Sequence, residues 1–315
     1  MSDRSSGESQ DCVAIVGAGL MGGGIAQVFA GAGVPCALFD PLEDVRSTVV
    51  ARVTAASRLI GRDAEEVLAG VTVHEDLASA CEGATLVIEA GPERLAVKRA
   101  IFADLQQLAP PTAVLASNTS AIPIGSIAEV VTDPSRVVGT HFWNPPYLVP
   151  LVEVVQTPLT TPDVVAWTMA LISRVGLKAV HVLVDVPGFI GNRMQHALKR
   201  EAIALVANGI CSAETVDTVV RYGFGRRLGL VGPLEQADLV GTDLTLAIHE
   251  VLMPSLDVTP VAHPYLVSMI ERGDIGAKTG RGFYEWAPGE AERRLAEISQ
   301  GLVDQVIDDA KREGA

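Results

Sequence analysis

A short apolar run ending in a glycine-spaced turn constrains this chain more than any other feature. Val13, Ala14, Ile15 and Val16 are followed at once by Gly17-Ala18-Gly19-Leu20-Met21-Gly22, a GxGxxG pattern. With 30 glycines in 315 residues the pattern alone is weak, and its context strengthens it. The apolar run reads as a buried strand, residues 20–32 read as a helix stopped by Gly31 and Gly33, and residues 35–39 form a second apolar run. Strand, helix and strand in so short a stretch make a βαβ unit, with parallel strands joined by a right-handed crossover.

The roles of the turn residues are separable. Gly17 permits the tight turn, Gly19 lets the backbone approach a pyrophosphate, and Gly22 lets the helix pack close to the strand. Leu20 and Met21 complete the helix start, whose free N–H groups and partial positive charge suit phosphates. Asp40 stands 21 positions after Gly19, at the end of the next strand. Its carboxylate can accept hydrogen bonds from both ribose hydroxyls and would repel a 2′-phosphate. No arginine follows immediately, so NAD is expected rather than NADP.

The alternation continues. Residues 44–59 and 93–108 read as helices, and 85–89, 113–116, 136–141 and 151–155 as strands; a helix over 162–175 and a strand over 179–184 follow. From Pro187 the strands stop. Residues 189–208, 212–222 and 234–252 carry helical periodicity, Ser212 is a candidate N-cap, and residues 289–312 read as an amphipathic helix. The expected fold class is therefore α/β: a Rossmann-type doubly wound sheet followed by an all-helical C-terminal domain. Residues 1–10 are expected to be a disordered lead-in, 11–186 the NAD-binding domain and 187–315 a helical domain for substrate binding and dimerisation.

Composition bounds the partners. Hydrophobic residues at 48% and charged residues at 20% allow a sizeable core. A net charge of −14 with no Lys/Arg block disfavours nucleic acid and anionic membranes. Cys12, Cys36, Cys81 and Cys211 are scattered without a CxxC pair, so free thiols are expected rather than disulfides or a metal site, which fits a reducing cytoplasm. No signal-peptide pattern opens the chain and no apolar run approaches membrane-helix length.

Two polar clusters follow strands, where ligands of such sheets sit. Ser117-Asn118-Thr119-Ser120 could orient a nicotinamide and a substrate oxygen, or be a polar turn. Thr140-His141-Phe142-Trp143-Asn144-Pro145-Pro146 leads back into Leu151-Val152-Glu153-Val154-Val155. A carboxylate inside so apolar a strand needs a partner, and His141, at the end of the preceding strand, is the nearest basic candidate in sequence. A carboxylate on one imidazole nitrogen fixes the tautomer and leaves the other to take a proton, as alcohol oxidation requires. Asn192, in Pro187-Gly188-Phe189-Ile190-Gly191-Asn192-Arg193, is expected near the domain boundary.

Together these residues resemble the 3-hydroxyacyl-CoA dehydrogenase family over about residues 13–286. The shared marks are GAGLMGGGIA (17–26), SNTS (117–120), HFWNPP (141–146), LVEVV (151–155), PGFIGNR (187–193), GPLE (232–235) and KTGRGFY (278–284). The resemblance implies His141 as base with Glu153 as its partner, Ser120 and Asn192 on substrate oxygens, and Asp40 on the adenosine ribose. It implies NAD contacts from Glu93, Lys98, Asn118, Asn144 and Lys278, and a dimer formed by the helical domain. CoA-using members carry a long lysine-rich helical arm after the second strand. The matching stretch, 44–76, is short and has Arg46, Arg52, Arg58 and Arg62 but no lysine. With the arginine-bearing Gly223-Phe224-Gly225-Arg226-Arg227, this looks more like the L-gulonate 3-dehydrogenase and λ-crystallin branch, which acts on free hydroxy acids. Arg227 could clasp a substrate carboxylate in two hydrogen bonds.

Three other readings stand beside a free-acid dehydrogenase. One is the same chemistry on a CoA thioester, as in fatty-acid metabolism. Another is a 3-hydroxyisobutyrate or 6-phosphogluconate type dehydrogenase, which uses a catalytic lysine where this chain has Asn192 and Arg193. The last is a non-catalytic NAD-binding protein of crystallin type, for which His141, Glu153, Ser120 and Asn192 would not all be needed.

Overall fold

The computed structural model describes residues 11–313, so the lead-in expected over residues 1–10 lies outside them. The chain forms two compact units. The first runs through Arg193 and takes in the chain from Ile298 onward; the second is Met194–Glu297.

The first unit holds β1 (Val13–Val16), α1 (Leu20–Gly31), β2 (Cys36–Phe39), α2 (Glu43–Arg46), α3 (Val49–Leu59), α4 (Ala64–Ala69), β3 (Val71–His74) and α5 (Leu77–Cys81). It continues with β4 (Leu86–Glu89), α6 (Leu95–Leu108), β5 (Val114–Ser117), α7 (Ile124–Ala128), β6 (Val137–Phe142), β7 (Leu151–Gln156), α8 (Pro162–Arg174) and β8 (Lys178–Val182). The strands make one sheet in the order β3-β2-β1-β4-β5-β6-β7-β8. All neighbours pair in parallel except β6 and β7, which are antiparallel.

Every residue of β1, β4, β5 and β6 is buried, as a mainly parallel sheet covered on both faces requires. The two-residue period sorts the side chains. Ile15, Leu38, Ile88, Val138 and Val154 share a core with Ile25 and Phe29 of α1, Val53 of α3 and Ile172 of α8. Val87, Leu115, Val137 and Val155 share the other with Phe102 and Leu105 of α6 and Ile124 and Ile127 of α7. The chain builds outward from β1 to β3 and then crosses back to β4, so strand order reverses between β1 and β4. The carboxyl ends on either side of that reversal are where a sheet of this kind opens a crevice.

Among the described residues, β8 is followed by the α-helices α9 (Gly191–Ala207), α10 (Ala213–Tyr222), α11 (Gly225–Leu228), α12 (Pro233–Val240), α13 (Thr242–Leu252), α14 (Pro264–Glu271) and α15 (Glu290–Glu313). The Ser212 hydroxyl accepts from Thr215 N at 3.2 Å, the expected N-cap of α10. Beyond β8 the described residues form only isolated bridges, at Gly276, Arg281 and Glu285.

Two expected helices are divided. The helix read over 44–59 breaks between α2 and α3, where the Ser47 and Thr48 hydroxyls donate to the carbonyls of Asp44 and Val45. Such local bonds compete with the helical ladder. The helix read over 234–252 breaks at Gly241, whose φ of 102° lies outside any helix. Residues 60–82 hold α4, β3 and α5, none of which periodicity indicated. The four-residue β3 sits at the sheet edge and is only partly buried, so it lacks the apolar run that marks the central strands.

Candidate active site

At the end of β1, Gly17 turns with φ +105°, a region that side chains disfavour, and a Cβ there would meet the Ala90 backbone at 2.7 Å. A Cβ on Gly22 would stand 1.9 Å from the Gly17 carbonyl oxygen. No side chain caps Gly19 at the start of α1, which leaves the first-turn N–H groups for a ligand. At the end of β2, Asp40 Oδ2 accepts from Ala18 N and Oδ1 from Leu42 N, each at 3.0 Å. These bonds aim the carboxylate while each oxygen keeps a further lone pair. A bare helix start, a cradle that admits no Cβ and an oriented carboxylate fit a dinucleotide with a free ribose.

The antiparallel pairing of β6 with β7 sets His141 directly opposite Glu153 in the register. His141 Nδ1 lies 2.7 Å from Glu153 Oε2. Glu153 Oε1 accepts from Ile190 N at 2.9 Å and Gly191 N at 3.0 Å. Relative exposures of 4% for His141 and 1% for Glu153 put the pair inside the sheet, not at a wet edge. The imidazole lies against Trp143 and Phe189, with ring centroids at 5.3 and 5.8 Å. Burial opposes ionisation of Glu153, but the His141 hydrogen bond, the Gly191 and Ile190 N–H groups and the imidazole charge hold its carboxyl below the usual range.

The loop after β5 is built as tightly. Asn118 Oδ1 accepts from Phe142 N at 2.9 Å, which ties the loop to the end of β6. Glu93 Oε1 accepts from the Thr119 hydroxyl at 2.7 Å, Ser120 N at 2.9 Å and Ala121 N at 3.0 Å. Asn192 Nδ2 donates to the Ser120 carbonyl at 2.8 Å. Lys98 Nζ is buried against Glu89, with Glu93 Oε2 at 3.4 Å. For Glu93, burial is again outweighed, by the Thr119 hydroxyl, the Lys98 charge and the Ala121 and Ser120 N–H groups, and its carboxyl also stays below the usual range.

These lowered values give a pH dependence. A carboxyl lower in the folded than in the unfolded state adds stability that is complete above the unfolded value and is lost as pH falls through the folded one. Wild-type Tm is therefore expected to fall more steeply than that of Glu93→Gln below about pH 4. Parallel curves in a thermal-melt series across that range would refute the linkage.

Of the residues singled out from sequence, the first unit brings together Gly17, Gly19, Gly22 and Asp40 at one end of β1 and β2, and His141, Glu153, Ser120, Asn192, Asn118, Glu93 and Lys98 around β4 to β7. Asn144 is exposed on the β6–β7 loop. Arg227 and Lys278 are exposed residues of the second unit. Ser117, read from sequence as part of a ligand-orienting cluster, is instead buried with its hydroxyl donating to Glu89 Oε2 at 2.6 Å. Sequence reasoning gave no role to Glu89, to the Phe189 ring or to the two N–H donors to Glu153. Glu89 carries a signal like that of Glu153, one carboxylate in an otherwise apolar strand, Leu86-Val87-Ile88-Glu89.

A glycine cradle with an oriented carboxylate beside it, in one domain with a buried imidazole–carboxylate pair, is the arrangement of an oxidoreductase that works with a pyridine dinucleotide. Residues 12–186 match the family model of the 3-hydroxyacyl-CoA dehydrogenase NAD binding domain, and residues 188–286 match that family's C-terminal domain. The chain belongs to the 3-hydroxyacyl-CoA dehydrogenase family and is an NAD-dependent oxidoreductase. It is 38% identical over 283 residues to a 3-hydroxybutyryl-CoA dehydrogenase of Mycobacterium tuberculosis, covering 87% of this chain and 98% of the relative. It is 32% identical over 295 residues to the 5-formyl-3-hydroxy-2-methylpyridine 4-carboxylate 5-dehydrogenase of Mesorhizobium japonicum, covering 92% and 96%. A crystal structure of a dehydrogenase of that pyridine acid, described as an NAD+-dependent dismutase, superposes with a TM-score of 0.86 at 31% identity, over 93% of this chain and 96% of the other.

Proposed function

We propose that this enzyme interconverts a free 3-hydroxy acid and its 3-oxo form, with His141 as the base. The observation that carries the reading is the buried His141–Glu153 pair, with Nδ1 held at 2.7 Å and Nε2 left for substrate. When bound, NAD supplies the hydride acceptor. His141 Nε2 takes the hydroxyl proton. Glu153, kept ionised by its three donors, holds the ring and balances the imidazolium that forms. The Ser120 hydroxyl and the Asn192 amide steady the substrate oxygen. Gly17, Gly19, Leu20, Met21 and Gly22 take the pyrophosphate and Asp40 the adenosine ribose, with Glu93, Asn118 and Asn144 serving the rest of the cofactor site and Lys98 holding Glu93 from behind.

The choice of a free acid rests on the segment after β2. Arg46 Nη1 donates to the Asp40 carbonyl at 2.7 Å, Arg52 Nη1 to the Ala18 carbonyl at 3.1 Å, and Arg62 to the Gly31 carbonyl. Each of these guanidiniums has one nitrogen engaged by backbone, and the segment carries no lysine. The Mesorhizobium relative is named for a free pyridine carboxylate. This supports the L-gulonate 3-dehydrogenase and λ-crystallin branch, with Arg227 holding the substrate carboxylate. The second reading, a CoA thioester substrate, is favoured by the name of the Mycobacterium relative.

An NADH-formation screen of free 3-hydroxy acids against their CoA thioesters tests the choice. The free acids are expected to show the higher kcat/KM, and Arg227→Ala to raise KM for the free acid by about tenfold and for the thioester little. A thioester preference, or equal effects of the substitution on both, would overturn it.

We place the functional partition at residue 187 and infer a homodimer through the second unit, where Leu234, Leu239 and Val251 stand 84%, 75% and 81% exposed. A cytoplasmic site is supported by four thiols that are all free in the structure. No helix among the described residues is long and apolar enough to cross a membrane.

A further inference from the structure

Glu89 has no part in the chemistry above, yet both of its carboxylate oxygens are fully engaged. It ends β4 with no solvent exposure. Its Oε1 accepts from Gly91 N at 2.7 Å and Lys98 Nζ at 2.9 Å; its Oε2 accepts from Lys98 Nζ at 3.0 Å and the Ser117 hydroxyl at 2.6 Å. Ser117 is its register partner across β4 and β5, and Val16, the last residue before the glycine turn, is its partner across β1 and β4. Lys98 is 1% exposed. A buried ion pair is costly to desolvate, and an apolar pair of similar volume would hold the fold as well or better. Its retention here follows from what it touches.

We propose that Glu89 is a positioning residue: through Lys98 and Glu93 it fixes the 117–121 loop that presents Ser120. The chain of contacts is continuous. Glu89 holds the Lys98 ammonium, Lys98 reaches Glu93 Oε2 at 3.4 Å, and the other oxygen of Glu93 takes Thr119, Ser120 N and Ala121 N. A second branch runs through the Glu89 carbonyl, which accepts from Asn118 N at 2.8 Å, and from Asn118 to Phe142 N beside His141. Lys98 thereby acts on the site from beneath, through Glu93. With Lys98 unanchored, Glu93 loses the charge that orients it, and the Ser120 and Ala121 amides lose a fixed acceptor.

The inference rests on Ser120 as a substrate contact, so its test has one arm that needs no turnover. Hydrogen exchange of the apo protein is followed by mass spectrometry in Glu89→Gln and in Glu89→Gln/Lys98→Met, which leaves neither member of the buried pair charged. Peptides over 117–122 are expected to exchange about tenfold faster in both variants, with those over 151–156 unchanged. With 3-hydroxybutyrate and 3-hydroxybutyryl-CoA as probes, Glu89→Gln is expected to lower kcat/KM about tenfold. In a Ser120→Ala background it should have almost no further effect, whereas general structural damage would multiply through both. Unchanged exchange at 117–122, or equal losses in the two backgrounds, would overturn the assignment. If the wild type turns over neither probe, the catalytic reading fails while the exchange result still decides the role of Glu89.

Discussion

His141→Gln is expected to lower kcat by about 10²–10⁴-fold, the range carried by a positioned general base. Glutamine keeps a polar side chain opposite Glu153 but cannot take up the hydroxyl proton. NAD affinity is expected to stay within about twofold, because the loss falls on the chemical step. The glycine turn and Asp40 hold their shape through bonds to Ala18 and Leu42 that do not involve β6. Steady-state NADH formation and calorimetric titration with NAD separate the two quantities. Turnover near the wild-type rate would remove His141 as the base.

The second large effect is expected at the cofactor turn. A Cβ at Gly22 would lie 1.9 Å from the Gly17 carbonyl oxygen, and that oxygen belongs to backbone that cannot rotate away as a side chain would. Gly22→Ala must therefore push α1 off β1 or distort the turn. Overpacking of this kind costs about 1–3 kcal/mol. Because the displaced backbone is the proposed phosphate cradle, NAD affinity is expected to fall by at least about 100-fold, the equivalent of some 2.8 kcal/mol. Titration with NADH followed by fluorescence, beside a thermal melt, reads both effects. Wild-type affinity in a folded variant would mean the cofactor is not held on this turn.

Legibility in the sequence followed physical locality. The glycine turn and the short apolar strands were readable because each is set by neighbours in the chain. Glu153 was readable because one charge in an apolar strand demands a partner, and His141 was the nearest basic group in sequence. That the two meet through an antiparallel step in an otherwise parallel run was not readable, since strand direction is decided by pairing across the sheet. The burial of Lys98 was equally hidden: a lysine on an amphipathic helix looks like a solvated residue until Glu89 is found behind it. Gly241 was visible as a glycine, but only its left-handed backbone showed that it divides α12 from α13. The hydroxyls of Ser47 and Thr48 likewise broke a helix through bonds that periodicity does not record.

The opposition of His141 and Glu153 across β6 and β7 also limits how this site can be altered. The two side chains meet because of the sheet's pleat, so their opposition is set by the register of the ladder. A slip of a single residue along either strand would turn one partner toward the opposite face and leave a carboxylate facing apolar side chains. Grafting the pair onto another scaffold would therefore require transplanting the two-strand ladder, together with Trp143, whose ring lies against the imidazole.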